Sequence, residues 1–519
     1  MKRKNGNRTS KSIKNSTIAF LGQILILLFQ FTTQTFFVHT LGAEYVGANG
    51  LFTNLLTLLS FADLGIGGAI TYALYQPLAE KNEKIISAIM HLFKLTYHII
   101  GLSILVLGFL FSFFISFFVN KNSYIPHLQI MFILFVTNSS ASYFFAYLRS
   151  LLIANQEAYV DTLNRVIFTF FQMLVQVVFL LLTHLYVVFL IIQIFFTVSA
   201  NISLQRKTLA RFSFIKYEKA VKIPSHILQG IKKNILGAIA SRFGIIVTNG
   251  TDNLILSKFI GLATVGKYTS YLLILNSAQN ILTQVFNSIV ASLANFSVEK
   301  GNENEDRIFF LFQYLVFGIA NTFAITMYFI LQPFIVFWIG KEYLLANLTV
   351  ILLILVWYTN ITKLSVQSFI TAHGLYWETK WKSVAEACLN LIVSLILIMT
   401  THLGVNSVII GTLSANLLID VWWEPMLLFK FGFGVDKWKY IYRYLKYVIM
   451  FLFSLSIAHL MLTKVLVVSN IRIINILLNA LICFIGSSFF YLLMNLFFYE
   501  QKYFMNLVKK KLKIKKRTN

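Results

Sequence analysis

The sequence predicts an all-α membrane protein with about 14 transmembrane helices. Three observations predict it: a scarcity of charge, apolar runs of helix length, and basic residues gathered on one side of those runs. Of 519 residues, 58% are hydrophobic and 12% charged, whereas a soluble domain is about 25% charged. A soluble core cannot hide that much apolar surface, but a bilayer can. Roughly 20 apolar residues are needed to cross its hydrocarbon core.

Apolar runs between polar punctuation place the spans at 17–40, 46–74, 86–118, 126–152, 163–183, 186–205, 232–257, 265–295, 308–337, 344–370, 380–401, 404–429, 441–463 and 473–498. The fifth and sixth are separated by only a few residues around His184. The run from Thr17 to Leu41 is too long for the apolar part of a signal peptide and lacks a small-residue cleavage site, so it reads as a retained first helix.

Charge sets the orientation. The chain has 44 Lys and Arg against 19 Asp and Glu. With both termini cytoplasmic, 35 of these cations fall in inside segments or at the inner ends of spans, six in outside loops or at outer ends, and three (Lys94, Arg242 and Lys363) deeper within spans. Cytoplasmic loops of membrane proteins carry this excess, so the imbalance needs no nucleic acid to explain it. The cluster Lys509–Arg517 lies beside the membrane and is expected to meet anionic lipid headgroups. Cys388 and Cys483 stand far apart in apolar segments and suggest neither a disulfide framework nor a metal site.

The chain repeats itself at an offset of 219 residues. Lys14-Asn15 opens the first span and Lys233-Asn234 the seventh; Gly42–Gly47 and Gly261–Gly266 both read G-x-x-x-V-G, between spans one and two and between seven and eight. Six spans separate the copies, so they share orientation, as in carriers built of two parallel bundles. The expected domains are a six-helix lobe at 1–222, a second at 223–435, two additional helices at 436–498 and a basic cytoplasmic tail at 499–519. Arg206–Lys233 is the basic linker between the lobes.

Two stretches carry a family resemblance: LGAEYVGANGLFTNLLTLLSFADLGIGGAITYALYQPLAEKN (Leu41–Asn82) and TDNLILSKFIGLATVGKYTSY (Thr251–Tyr271). They resemble the oligosaccharide flippases of the MOP superfamily, especially the polysaccharide-export branch of Gram-positive bacteria. That superfamily also holds the MATE drug exporters and the lipid II flippases. The resemblance covers twelve spans in organisation and is specific only in those stretches. It implies two pseudo-symmetric lobes around a central V-shaped cavity and alternating access. The implied cargo is an undecaprenyl-pyrophosphate-linked oligosaccharide carried outward across a bacterial cytoplasmic membrane for capsule, exopolysaccharide or wall glycan. Partners would be that lipid-linked oligosaccharide, membrane lipids, and polymerases and glycosyltransferases of the same pathway.

Polar residues inside the spans give the candidate substrate contacts. Arg242, Asn249 and Asn253 share one face of the seventh span, and subtracting 219 gives Gln23, Gln30 and Gln34 on one face of the first. Such groups face protein or water in a bilayer. They either line a shared hydrated lumen or hydrogen-bond between helices. Arg242 lies nine residues past Lys233, roughly 13 Å into the helix. A guanidinium there suits a diphosphate through paired hydrogen bonds; the other reading is a buried carboxylate partner. Asp252, an acid in the outer half of the same helix, could hold Na⁺ or a proton and couple transport to an ion gradient, or cap that end. Lys363 shares its face with Asn360 and Gln367 and either snorkels or reaches the lumen. Asn276, Asn280 and Asn287 share a face of the eighth span with Thr283; they could bind sugar hydroxyls or pack on the seventh helix.

Two other functions compete. A MATE-like small-molecule exporter would want acidic lumen residues, and the sequence reading finds few deep acids. A polysaccharide polymerase resembles its kin in having a long outer loop with catalytic residues, and every outer loop here is short. No D-x-D, no metal-spaced cluster and no G-x-x-x-x-G-K-[ST] phosphate loop is present. The expectation is a carrier, not an enzyme, without cofactor beyond a coupling ion.

Overall fold

Backbone amides in a bilayer find no water, so a chain of this composition has to close its hydrogen bonds within helices. The computed structural model describes residues 2–60, 66–121, 123, 125–216, 223–225, 228–229, 231, 250–300, 305–373, 375–465, 473–496, 498–503 and 505, with side chains left out at 2–14, 16, 69, 287–300, 376–377 and 461–465. No strand occurs among the described residues.

The helices run in chain order as α1 (Lys2–Leu41), α2 (Ala43–Leu59), α3 (Ile66–Glu80), α4 (Glu83–Ser112), α5 (Leu128–Tyr143), α6 (Ala146–Ala154), α7 (Ala158–Thr183) and α8 (Tyr186–Arg211). Residues 250–259 form α9. Then come α10 (Leu262–Lys300), α11 (Glu305–Ile339), α12 (Asn347–His373) and α13 (Tyr376–Thr400). The segment α14 (Val405–Phe433) is followed by α15 (Trp438–Val465) and α16 (Ile473–Met494).

Among the described residues, 11 helical segments are long and apolar enough to cross a membrane. The protein is a multi-pass membrane protein, and the three remaining sequence spans account for the difference from fourteen. Span 46–74 falls on α2 and α3, of 17 and 15 residues. Span 232–257 lies largely outside the described residues, and span 265–295 falls within the 39 residues of α10. The narrow gap at His184 is a real turn: α7 ends at Thr183, His184 takes a left-handed conformation at φ 54°, and α8 starts at Tyr186.

The chain forms two compact units, Met1–Ser270 and Tyr271–Asn519. The repeat marks which helices are equivalent, and it divides the chain at 222/223; helix contacts divide it later, within α10. In the first unit α7 packs on α1 and α8, and α5 on α4 and α8. Buried polar side chains tie these helices by donating to carbonyls across the contact: Ser140 Oγ to Gly101 O at 2.7 Å and Gln176 Nε2 to Phe189 O at 3.1 Å. Such bonds hold helices together where lipid removes the hydrophobic drive.

The repeated glycines meet. A Cβ on Gly47 would run into the carbonyl of Leu262, and one on Gly266 into the carbonyl of Ala43. Adding 219 to Ala43 and Gly47 gives Leu262 and Gly266, so the contact is reciprocal under the repeat. Gly42 and Gly261, which open the two motifs, both have positive φ, 85° and 125°. Glycine is therefore required at both ends of each motif, first for the turn and then for close backbone approach.

In the second unit α11 packs on α12 and α16, and α14 on α12 and α13. The Tyr491 hydroxyl of α16 donates to Tyr314 O at 2.9 Å, and its ring covers Gly318. This fixes the last helix to α11.

Candidate functional site: a buried ion network on α12, α13 and α14

Three neighbouring helices bring two lysines and three carboxylates together inside the second unit. Lys382 of α13 is the centre. Its Nζ lies 2.7 Å from Asp420 Oδ1, 2.7 Å from Glu424 Oε1 and 2.8 Å from Glu386 Oε2. Lys363 of α12 reaches Asp420 Oδ2 at 2.9 Å and Glu386 Oε1 at 3.6 Å, and donates to Asn416 Oδ1 at 3.2 Å. The Lys382 and Asp420 side chains are only 3% and 2% exposed.

Local sequence builds the cluster. Lys382 and Glu386 stand four apart on α13, so they share a face. Asn416, Asp420 and Glu424 also recur every four residues on α14. In an α-helix each such step drifts about 40° around the axis. A wider π turn at Asn416–Asp420 opposes that drift, and α-helix resumes at Val421. All three side chains therefore reach toward α12. Single π turns inside α-helices are common at functional sites.

Neutral groups complete the shell. Asn416 Nδ2 donates to Thr359 Oγ1 at 2.9 Å and to Asn360 Oδ1 at 3.1 Å. Gln367 Nε2 donates to Glu424 Oε1 at 3.3 Å. Glu424 Oε2 is buried without a hydrogen-bond partner among the described residues. Asp420 Oδ1 pairs with Lys382 by charge at 2.7 Å but without hydrogen-bond alignment. Two ammoniums face three carboxylates, so the fully ionised cluster is one positive charge short. Unbalanced buried charge is costly. The cluster can relieve it by taking up one proton or one monovalent cation at Glu424. No group of three or more His, Cys, Asp or Glu among the described residues has the arrangement of a metal site.

The sequence-predicted residues fall as follows. Lys363, Asn360 and Gln367 do share a face, and it points at α14. Lys363 is ion-paired there rather than free. Lys382, at the start of the span read at 380–401, is buried among acids. Glu386, Asp420 and Glu424 are missed by the sequence reading, although Lys382/Glu386 and Asp420/Glu424 at four-residue spacing in apolar runs are a readable signal. Their presence removes the scarcity of deep acids as a reason against an exporter.

In the first unit Asn253 of α9 is buried, its Nδ2 donating to Gly50 O at 3.4 Å and Asn54 Oδ1 at 3.3 Å. Asp252 beside it is half-buried. Gln23 and Gln34 are half-buried and Gln30 exposed on α1. Asn276 and Asn280 are exposed on α10. Arg242 and Asn249 lie outside the described residues, as does the side chain of Asn287. The network belongs to the second unit, and α1 and α9 belong to the first.

The fold is shared with solved membrane transporters. The lipid II flippase MurJ in an inward closed conformation is similar at TM-score 0.66 and 18% identity, over 92% of this chain and 99% of that one. An inward-facing multidrug resistance MATE transporter of the MOP superfamily is similar at 0.64 and 14% identity, over 79% of this chain and 98% of that one. A MATE transporter of Vibrio cholerae is similar at 0.59 and 12% identity, over 84% and 99%. At these identities the likeness is one of fold. No family model matches the sequence, and no curated protein matches it.

Proposed function

We propose that this protein is a flippase that carries a lipid-linked oligosaccharide from the inner to the outer leaflet of a bacterial cytoplasmic membrane. The observation that carries this reading is extent. The likeness to the lipid II flippase spans 92% of the chain, against 79% and 84% for the MATE transporters. The fourteen-span length read from sequence, with α15 and α16 tied to the second unit, therefore favours a lipid carrier over a drug exporter. The oligosaccharide part rests on the resemblance at Leu41–Asn82 and Thr251–Tyr271.

Coupling to an ion is part of the proposal. The over-acidic cluster on α12–α14 is a better candidate for it than Asp252, because its three carboxylates outnumber its two ammoniums. A proton or Na⁺ bound there would neutralise the cluster and alter the packing of α12 on α14.

The test is deletion of the gene in its native host, with lipid-linked glycan intermediates and surface polysaccharide measured. The expected result is completed intermediates held on the cytoplasmic side, loss of surface glycan, and recovery on complementation. Unchanged glycan with increased sensitivity to cationic drugs would replace the flippase by an exporter.

A further inference from the structure

We propose that the groove between α7 and α8 is a binding site for an anionic phospholipid of the inner leaflet. The groove has a volume of about 490 Å³ and is lined by Phe168, Ser199, Ile202, Ser203, Arg206 and Lys207. Two of these lining residues bond to Asn164, a buried amide of α7. Asn164 Oδ1 accepts from Ser203 Oγ at 2.8 Å and from Lys207 Nζ at 2.9 Å, while its Nδ2 donates to Ala200 O at 2.9 Å. The lysine ammonium, with three donors, is thereby held at the groove and has no second side-chain partner among the described residues.

The charge here is unmatched. Two nearby cations have acids: Arg149 pairs with Asp161 at 3.3 Å and Arg211 with Glu157 at 2.8 Å. Arg206 and Lys207 are exposed and have no carboxylate partner among the described residues. Adjacent guanidinium, ammonium and serine hydroxyls are the donor set for a phosphate.

The rest of the groove is apolar and runs away from these cations. On α8 the positions Phe195, Ser199, Ile202 and Arg206 recur at spacings of four, three and four, which is one stripe of a helix. Phe195 is 64% exposed, and Phe171, three residues on from Phe168 along α7, is 51% exposed. A cationic end that continues into an exposed apolar track fits an amphiphile, not a free phosphate. With the orientation expected from the basic loops, the cationic end of α8 meets the cytoplasmic leaflet. Basic pockets between helices on that side hold anionic headgroups.

The test uses the detergent-purified full chain and native mass spectrometry with phosphatidylglycerol, phosphatidylcholine or inorganic phosphate. Wild type is expected to retain phosphatidylglycerol over phosphatidylcholine. Arg206→Gln with Lys207→Gln should weaken phosphatidylglycerol retention by roughly ten- to thirtyfold, from about one kcal/mol per basic residue at a membrane surface. Lys437→Gln with Lys439→Gln, at another basic segment, should leave it unchanged. Lys207→Gln also removes the bond to Asn164 on α7, so a melting curve confirms that each double variant is folded. Equal retention by the Arg206/Lys207 variant, or equal binding of phosphatidylcholine, overturns the proposal. Displacement of phosphatidylglycerol by an equal concentration of inorganic phosphate makes it a phosphate site and overturns the lipid reading.

Discussion

The repeat invites a comparison between Asp420 in the second unit and its counterpart 219 residues earlier, Asn201 in the first. Both side chains are buried. Around Asn201 the charges balance: its Oδ1 accepts from Arg149 at 3.2 Å, and Arg149 pairs with Asp161 at 3.3 Å. Around Asp420 they do not, because two lysines face three carboxylates. A buried ionic cluster is weak stabilisation at best, since desolvation opposes the attraction. An unbalanced one is worse. Among the described residues such a cluster occurs in one unit and not the other, which is why the proposed ion coupling is assigned to the second unit.

The largest test of that difference removes its central cation. Lys382→Met leaves three carboxylates around one ammonium, and breaking a buried pair costs about 3–5 kcal/mol. The variant should show a sharply lowered melting temperature in detergent, or fail to accumulate. Unchanged stability would mean that the carboxylates are already protonated and that Lys382 neutralises nothing.

Next in size are the repeated glycines. Gly47→Val puts a branched side chain against the Leu262 carbonyl, and Gly266→Val does the same at Ala43. Overpacking of this kind costs about 1–3 kcal/mol. Because the contact is reciprocal, the two variants should lower the melting temperature by similar amounts. A large difference between them would show that the pseudo-symmetry is not kept in the packing.

Glu424→Gln removes the unmatched charge and keeps the shape. It should alter stability by less than about 1 kcal/mol, since it relieves buried charge while the Gln amide can still accept from Gln367. Transport should change more than stability, losing its dependence on Na⁺ or pH in a reconstituted flipping assay. A variant as unstable as Lys382→Met would show that Glu424 serves only to neutralise the lysines.

Much of the fold was legible because bilayer and helix impose a single length scale. Eleven of fourteen expected spans reappear as helical segments long and apolar enough to cross a membrane, and the turn at His184 is real. The stretches 46–74 and 232–257 include residues outside the described ones, and 265–295 lies within the single helix α10. The polar face of α12 was visible from Asn360, Lys363 and Gln367, but its partners were not. Hydropathy averages dilute Asp420 and Glu424 among neighbours such as Leu417, Leu418 and Trp422, and the π turn that aligns them has no signature in composition. Asn253 shows the opposite limit. Its spacing is equally consistent with a lumen and a helix contact, and the Asn54 amide on α2 that takes up its Nδ2 is remote in sequence.

The smallest effects are expected around Asn201 in the first unit, where Arg149 and Asp161 balance. The Arg149–Asp161 pair is partly exposed, at 39% and 20%, and screening holds such a pair to about 0–1 kcal/mol. Arg149→Gln should therefore shift the melting temperature little, and the flipping assay should keep its ion dependence. Asn253→Leu should cost about 0.6 kcal/mol, the average for a hydrogen bond between membrane helices. Here transport separates the two readings of that residue. Surface glycan retained with the small loss of stability means that Asn253 only joins α9 to α2. Glycan lost at normal protein level means that the amide also meets the substrate, and the division of labour between the units is then less sharp than the charges around Asn201 and Asp420 imply.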